Sequence, residues 1–127
     1  MNANRPFLCL ATLLLLLALP FTAQADNTAQ LVPQTWKMLD YMSADYSGAI
    51  SNDGKIISTS EYAEMQEFSQ TARKHIAELP DRPGKTELLA DADAFVLLIQ
   101  QKAPHDQVAA QAHKVNAALL KLYPMPT

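Results

Sequence analysis

The sequence predicts an all-α fold: an antiparallel four-helix up-down bundle with a short turn or mini-hairpin between its first and second helices. Three observations carry that prediction. Apolar residues recur at three- and four-residue steps in four separate segments, the spacing that lines one face of a helix. Each segment stops at glycine or proline: near Gly48, at Pro80 to Gly84, at Ala103-Pro104 and at Pro124. The links between segments are short, and short links set consecutive helices side by side and antiparallel.

A leader precedes the first helix. Arg5 supplies a positive start, Phe7 to Leu19 is an apolar run of 13 residues, and Ala23-Gln24-Ala25 gives the small-x-small pattern that signal peptidase reads. The expectation is a cleaved signal peptide over 1–25 and a single periplasmic helical domain over 26–127. The apolar run falls short of the roughly 20 residues a membrane span needs, so no stable membrane insertion is expected after cleavage. Cys9 is the one cysteine. It leaves with the leader, so no disulfide staples the exported domain. The chain carries 10 basic and 13 acidic residues, and losing Arg5 takes the net charge from −3 to −4. That balance argues against nucleic acid and anionic membrane as partners and mildly favours cations.

In the first helix, Pro33 suits the first turn, where its missing N–H has no partner to lose. Val32, Trp36, Leu39, Ser43 and Tyr46 form its inner stripe, with Met42 on the edge. Met38, Tyr41 and Asp45 share the opposite side, flanked by Lys37. That side reads either as a solvated face or as a surface contacted from outside. The crossing runs from Gly48 to Ser58, with Asn52-Asp53-Gly54 as its turn signal. Ala49-Ile50 and Ile56-Ile57 are placed to pair as a very short hairpin, with Ile50 and Ile56 capping one end of the core.

Ser58 opens the second helix, and Glu61 three residues on completes a capping box. Tyr62, Met65, Phe68, Ser69, Ala72, Ile76 and Leu79 make its inner stripe. Its glutamates come early and Arg73, Lys74 and His75 late, the order the helix dipole favours. A third helix spans about Lys85 to Lys102, with Leu88, Ala92, Phe95, Val96 and Ile99 inward. The fourth starts at Pro104 and runs to about Tyr123, with His105, Val108, Ala112, Val115, Leu119 and Leu122 inward.

The residues that bear chemistry crowd the first crossing. On a helical wheel Glu61 falls with Phe68, Ala72 and Leu79, so it points toward the core at the helix mouth; Glu64 flanks that stripe and Glu67 points away. Asp45 and Tyr46 close the preceding helix. Carboxylates and tyrosine without cysteine are hard oxygen donors, suited to Fe(III), Ca²⁺, Mn²⁺ or Mg²⁺. The candidate metal ligands are therefore Asp45, Tyr46, Glu61 and Glu64. The alternative makes Glu61 only the capping-box acid and Asp45 a solvated charge. Met38 and Tyr41 are the candidate partner-binding residues, because amphipathic aromatics bury large area where proteins meet. His105 falls on an inner stripe and reads as a hydrogen-bonded structural group; His113 falls outside. No CxxCH, HExxH, EF-hand loop, GxSxG or Gly-rich phosphate loop occurs, and no nucleophile sits beside a base. No catalysis is expected.

The stretch from Leu39 to Phe68 also carries a family resemblance. Leu39-x-Tyr41, Asp45-Tyr46, Ala49-Ile50, Gly54-x-Ile56 and Glu61-Tyr62-x-Glu64-Met65-x-Glu67-Phe68 resemble, in order and spacing, the amino-terminal periplasmic segment of bacterial high-affinity iron permeases. The two later helices agree only in kind. No membrane-embedded permease follows within the 127 residues, so transport itself does not carry over. The resemblance implies a free-standing relative of the accessory domain, serving uptake of iron or another hard metal ion in the periplasm. Iron is then the ion bound, and an iron-uptake membrane component or a homodimer the partner. A non-metal structural or protein-interaction module is the alternative. The architecture further resembles the soluble four-helix haem proteins of the periplasm. Their histidine near the end of the last helix has no counterpart in Leu119-Leu120-Lys121-Leu122-Tyr123, which ranks haem lower.

Overall fold

The computed structural model describes residues 26–125, and the signal peptide expected over 1–25 lies outside the described residues. Four helices follow in order: α1 (Thr28–Ala49), α2 (Thr59–Glu78), α3 (Lys85–Gln100) and α4 (His105–Leu122). Helix α1 packs on α2 and α4, and α3 packs on the same two, while among the described residues no Cα atoms of the diagonal pairs come within 8 Å of each other. Short links around such a ring make an up-down bundle. Among the described residues no helix is long and apolar enough to cross a membrane.

The core follows one rule along α1 and α2. Buried residues fall at Val32, Thr35, Leu39, Met42, Tyr46 and Ala49 in α1, and at Tyr62, Met65, Ser69, Ala72 and Ile76 in α2. These are alternating steps of three and four, the seam of a left-handed bundle. The phase in α1 differs from the sequence expectation. Met42 is fully buried rather than marginal, and Thr35 replaces Trp36 on the stripe, while Trp36 and Ser43 are half-buried. Polar Thr35 hid the true phase: its hydroxyl lies 3.2 Å from Nδ1 of His75, which lets it sit inside. Phe68, Val96 and Leu122 are likewise half-buried at the rims of their stripes.

Pro33 lies inside α1, not in its first turn, because the helix starts at Thr28. The N–H it lacks would have bonded the carbonyl of Ala29, which is exposed, so solvent can serve that carbonyl. At the crossing, Ile50 and Ile56 form an isolated antiparallel bridge, flanked by Ile57 N–H to Ala49 O and Ser51 N–H to Lys55 O, both 2.8 Å. Gly54 turns it with φ of 84°. Ile50 caps the core as expected, but Ile56 and Ile57 are 47% and 60% exposed. One bridge is too little sheet to fold the second arm over the bundle end.

The capping box forms by half. Ser58 Oγ accepts from Glu61 N–H at 3.2 Å, but Ser58 N–H is taken by Ala49 O at 3.3 Å, and the Glu61 carboxylate stays exposed. Glu61 therefore does not point toward the core; the inner stripe of α2 begins one residue later, at Tyr62.

Both ends of the bundle are pinned by side chains reaching backbone carbonyls. At one end Tyr46 donates to Ala103 O (2.7 Å) and Tyr62 to Ile99 O (2.9 Å). At the other, Tyr123 donates to Pro80 O (2.5 Å), and the Arg82 guanidinium lies 4.5 Å from the centre of the Tyr123 ring. Lys85, 9% exposed, closes the end of α2: its ammonium donates to Ala77 O at 2.9 Å, Leu79 O at 2.7 Å and Asp81 Oδ1 at 3.2 Å. A cation suits a helix C-terminus, where unpaired carbonyls gather negative charge.

Candidate functional site

The outer seam between α1 and α2, just below the crossing, collects most of the residues singled out in the sequence. The heptad spacing that turns Leu39, Met42 and Tyr46 inward leaves Tyr41 and Asp45 on the flank of α1 that meets α2. From α2, Glu64 and Phe68, one turn apart, come up to them. The Tyr41 hydroxyl donates to Glu64 Oε1 at 2.5 Å, and its ring tilts against Phe68 with centroids 5.8 Å apart. Tyr41 thus has a use within a single chain, bridging two helices, while 39% of it remains exposed.

The hydrogen bond to Glu64 pushes the Tyr41 phenol up to about 12, helped by desolvation and by the charges of Glu64 and Asp45. Two carboxylates thus hold one phenol in its protonated form. Glu61 lies one turn nearer the crossing on α2, its carboxylate against Gly48. Tyr46 is turned away into the core, its hydroxyl committed to Ala103 O and its ring edge-on to His105 at 5.7 Å. Met38 is half-buried against the core. The structure therefore brings Tyr41, Asp45 and Glu64 to one seam, sets Glu61 beside it, and directs Tyr46 elsewhere.

Gly48 gives this seam a small test. A Cβ there would meet Glu61 Oε2 at 2.9 Å, but that atom is the free end of an exposed side chain. Gly48→Ala is expected to displace the Glu61 carboxylate and stabilise α1 by about 0.5–1 kcal/mol, the propensity difference between the two residues in a helix. A urea titration showing a loss of stability would mean Glu61 is held in place.

The three histidines all tie into α1 or its end. His75 pairs with Thr35, and Nε2 of His113 lies 3.2 Å from Ser43 Oγ. Nε2 of His105 lies 2.6 Å from Ile50 O, while its backbone N–H bonds Asn52 Oδ1 at 3.0 Å. His105 is the structural group the sequence suggested. Among the described residues, no group of three or more His, Cys, Asp or Glu side chains lies close enough to hold a metal ion. Two open clefts of about 290 and 360 Å³ sit at the opposite end of the bundle, one beside Val32 and Met125, the other beside Leu88 and Leu122.

The sequence placed Tyr46 in a ligand set and Tyr41 in a docking face. The signal that separates them was present: Tyr46 follows Leu39 by seven and Met42 by four, both inward, whereas Tyr41 precedes Asp45 by four on the outside. Lys85 and Asn116 were missed altogether, because a lysine and an asparagine on helices ordinarily read as solvated.

Comparison with known proteins agrees with this architecture. Residues 22–126 match the family model described as the iron permease-associated 4-helix bundle domain. No curated protein and no solved structure matches the chain.

Proposed function

The chain belongs to the iron permease-associated 4-helix bundle family, and from that premise we propose that it is an accessory binding module of iron uptake, working in the periplasm without catalysis of its own. Its partner in this reading is an iron-uptake membrane component. The observation that carries the metal side is the Tyr41 phenol held between two carboxylates, by a 2.5 Å bond to Glu64 and by the charge of Asp45 one turn on. One phenol and two carboxylates are hard oxygen donors, the kind Fe(III) takes. The cation displaces the phenolic proton as it binds, so affinity falls as pH falls. Glu61 lies beside the seam but outside this set, since Asp45, Glu61 and Glu64 do not come close enough together to hold one ion.

Melting of the full protein with and without Fe(III), Fe(II), Mn²⁺ or Ca²⁺ tests this. With ligand at 100 times Kd the expected gain is about 2.7 kcal/mol. Tyr41→Phe, Asp45→Asn and Glu64→Gln should each abolish the gain, and Tyr46→Phe should keep it. No shift with any of the four ions overturns the metal reading. A second reading then stands on the exposed part of Tyr41, packed on Phe68 with Met38 nearby: a docking face for a protein partner or a second copy.

A further inference from the structure

The crossing presents an open strand edge. Its antiparallel bridge joins Ile50 to Ile56 through the residues on either side, by Ile57 N–H to Ala49 O and Ser51 N–H to Lys55 O. In that pattern the two bridged residues turn their own N–H and C=O away from each other. Ile50 uses its outward pair inside the molecule: its N–H bonds Tyr46 O at 3.1 Å, and Nε2 of His105 lies 2.6 Å from its carbonyl oxygen. Ile56 turns its pair the other way, and among the described residues neither group has a hydrogen-bond partner. The side chains at this edge are uncovered too. Ile56 and Ile57 are adjacent, and both are exposed. Leu97, equally exposed, sits in α3 and offers a side chain without unpaired backbone.

An edge of this kind selects another strand, which offers a donor and an acceptor at matching spacing. A single residue with both groups outward is self-complementary about a two-fold axis. Ile56 of each copy can donate to and accept from Ile56 of the other, the reciprocal pair of an antiparallel ladder. Charge agrees with that register. With Ile56 opposite Ile56, Lys55 of each copy stands opposite Ile57 of the other, so its methylenes meet an apolar side chain and not a second lysine. Its contact with Asp53, 3.6 Å and largely in solvent, holds it only weakly. We infer that the chain forms a two-fold dimer by pairing the Ile56 edges of two copies. Two hydrogen bonds and two isoleucines from each copy make an interface below the roughly 1,200 Å² of stable complexes. The dimer therefore forms at high concentration and dissociates on dilution. It uses none of the seam residues and needs no metal, so it stands or falls apart from the function proposed above.

Sedimentation equilibrium of the full protein, carried up to about 1 mM, tests this with three variants. Ile56→Pro removes the outward N–H and leaves both bonds of the bridge, which do not use it. It should weaken dimerisation about tenfold or more while melting at the wild-type temperature when dilute. Ile57→Glu and Ile57→Lys separate the proposed register from a general apolar contact. Each sets a charge opposite Lys55 of the other copy, attractive in the first variant and repulsive in the second. Ile57→Glu should dimerise about tenfold or more tightly than Ile57→Lys. Net charge alone predicts the reverse order, because the chain stands at −3 and glutamate makes it more negative. A wild type that stays monomeric at every concentration overturns the dimer. So does Ile57→Lys associating as tightly as Ile57→Glu, or a normally melting Ile56→Pro associating as tightly as wild type. Should Ile56→Pro melt low, the Ile57 pair decides alone.

Discussion

Tyr46→Ala is expected to destabilise the bundle by about 3–5 kcal/mol, the range for truncating a buried aromatic, seen as a lowered urea midpoint. Tyr46→Phe keeps the ring and removes only the hydroxyl that meets Ala103 O at 2.7 Å. Its expected loss is about 1–3 kcal/mol, the penalty for a buried acceptor left unpaired. The phenol also sets a pH dependence. Burial first, and Tyr62 second, pushes it up to about 12 from the ordinary 10.0. The folded phenol therefore keeps its proton where the unfolded one has lost it. Its contribution is complete below pH 10.0 and is lost as pH rises through about 12. Tyr46→Phe should flatten that alkaline fall. Unchanged stability in Tyr46→Phe, with the metal-dependent gain lost, would instead return Tyr46 to the ligands.

Lys85→Met should lower stability by at least about 1.5–3 kcal/mol, the range of one hydrogen bond to a charged group. Methionine follows the same path as the lysine stem but leaves the Ala77 and Leu79 carbonyls at the end of α2 without their donor. The bond to Asp81 contributes little, since that carboxylate is almost fully in solvent. Equilibrium unfolding in urea decides it. A methionine variant as stable as wild type would show that water reaches those carbonyls freely, and that burying the ammonium costs as much as it returns.

The bundle was legible in the sequence because its evidence is redundant: four apolar stripes and four proline or glycine stops say the same thing. Boundaries followed from the same signals, except where Pro33 was given the first turn of α1. The phase of α1 was harder, since Thr35 is polar and Trp36 is the largest side chain nearby, and only a partner 40 residues away explains the choice. The seam was half legible. Helix phase placed Tyr41 outward, but which carboxylate it meets depends on how α1 and α2 align. No local spacing states that alignment. Lys85 and Asn116 stayed hidden for the same reason: each is explained by an acceptor on another segment, not by its neighbours in the chain.

Tyr46 and Tyr62 have a consequence for how the chain comes together. They belong to the first helical hairpin, yet the carbonyls they satisfy, at Ala103 and Ile99, lie in and before the link of the second. A peptide of α3 and α4 alone would carry those carbonyls without phenol donors. The two hairpins are therefore not independent folding units, and cutting the chain between Pro80 and Gly84 should yield halves that are ordered only together. The half bearing both phenols comes first along the chain, so the donors lead and the acceptors follow them in synthesis.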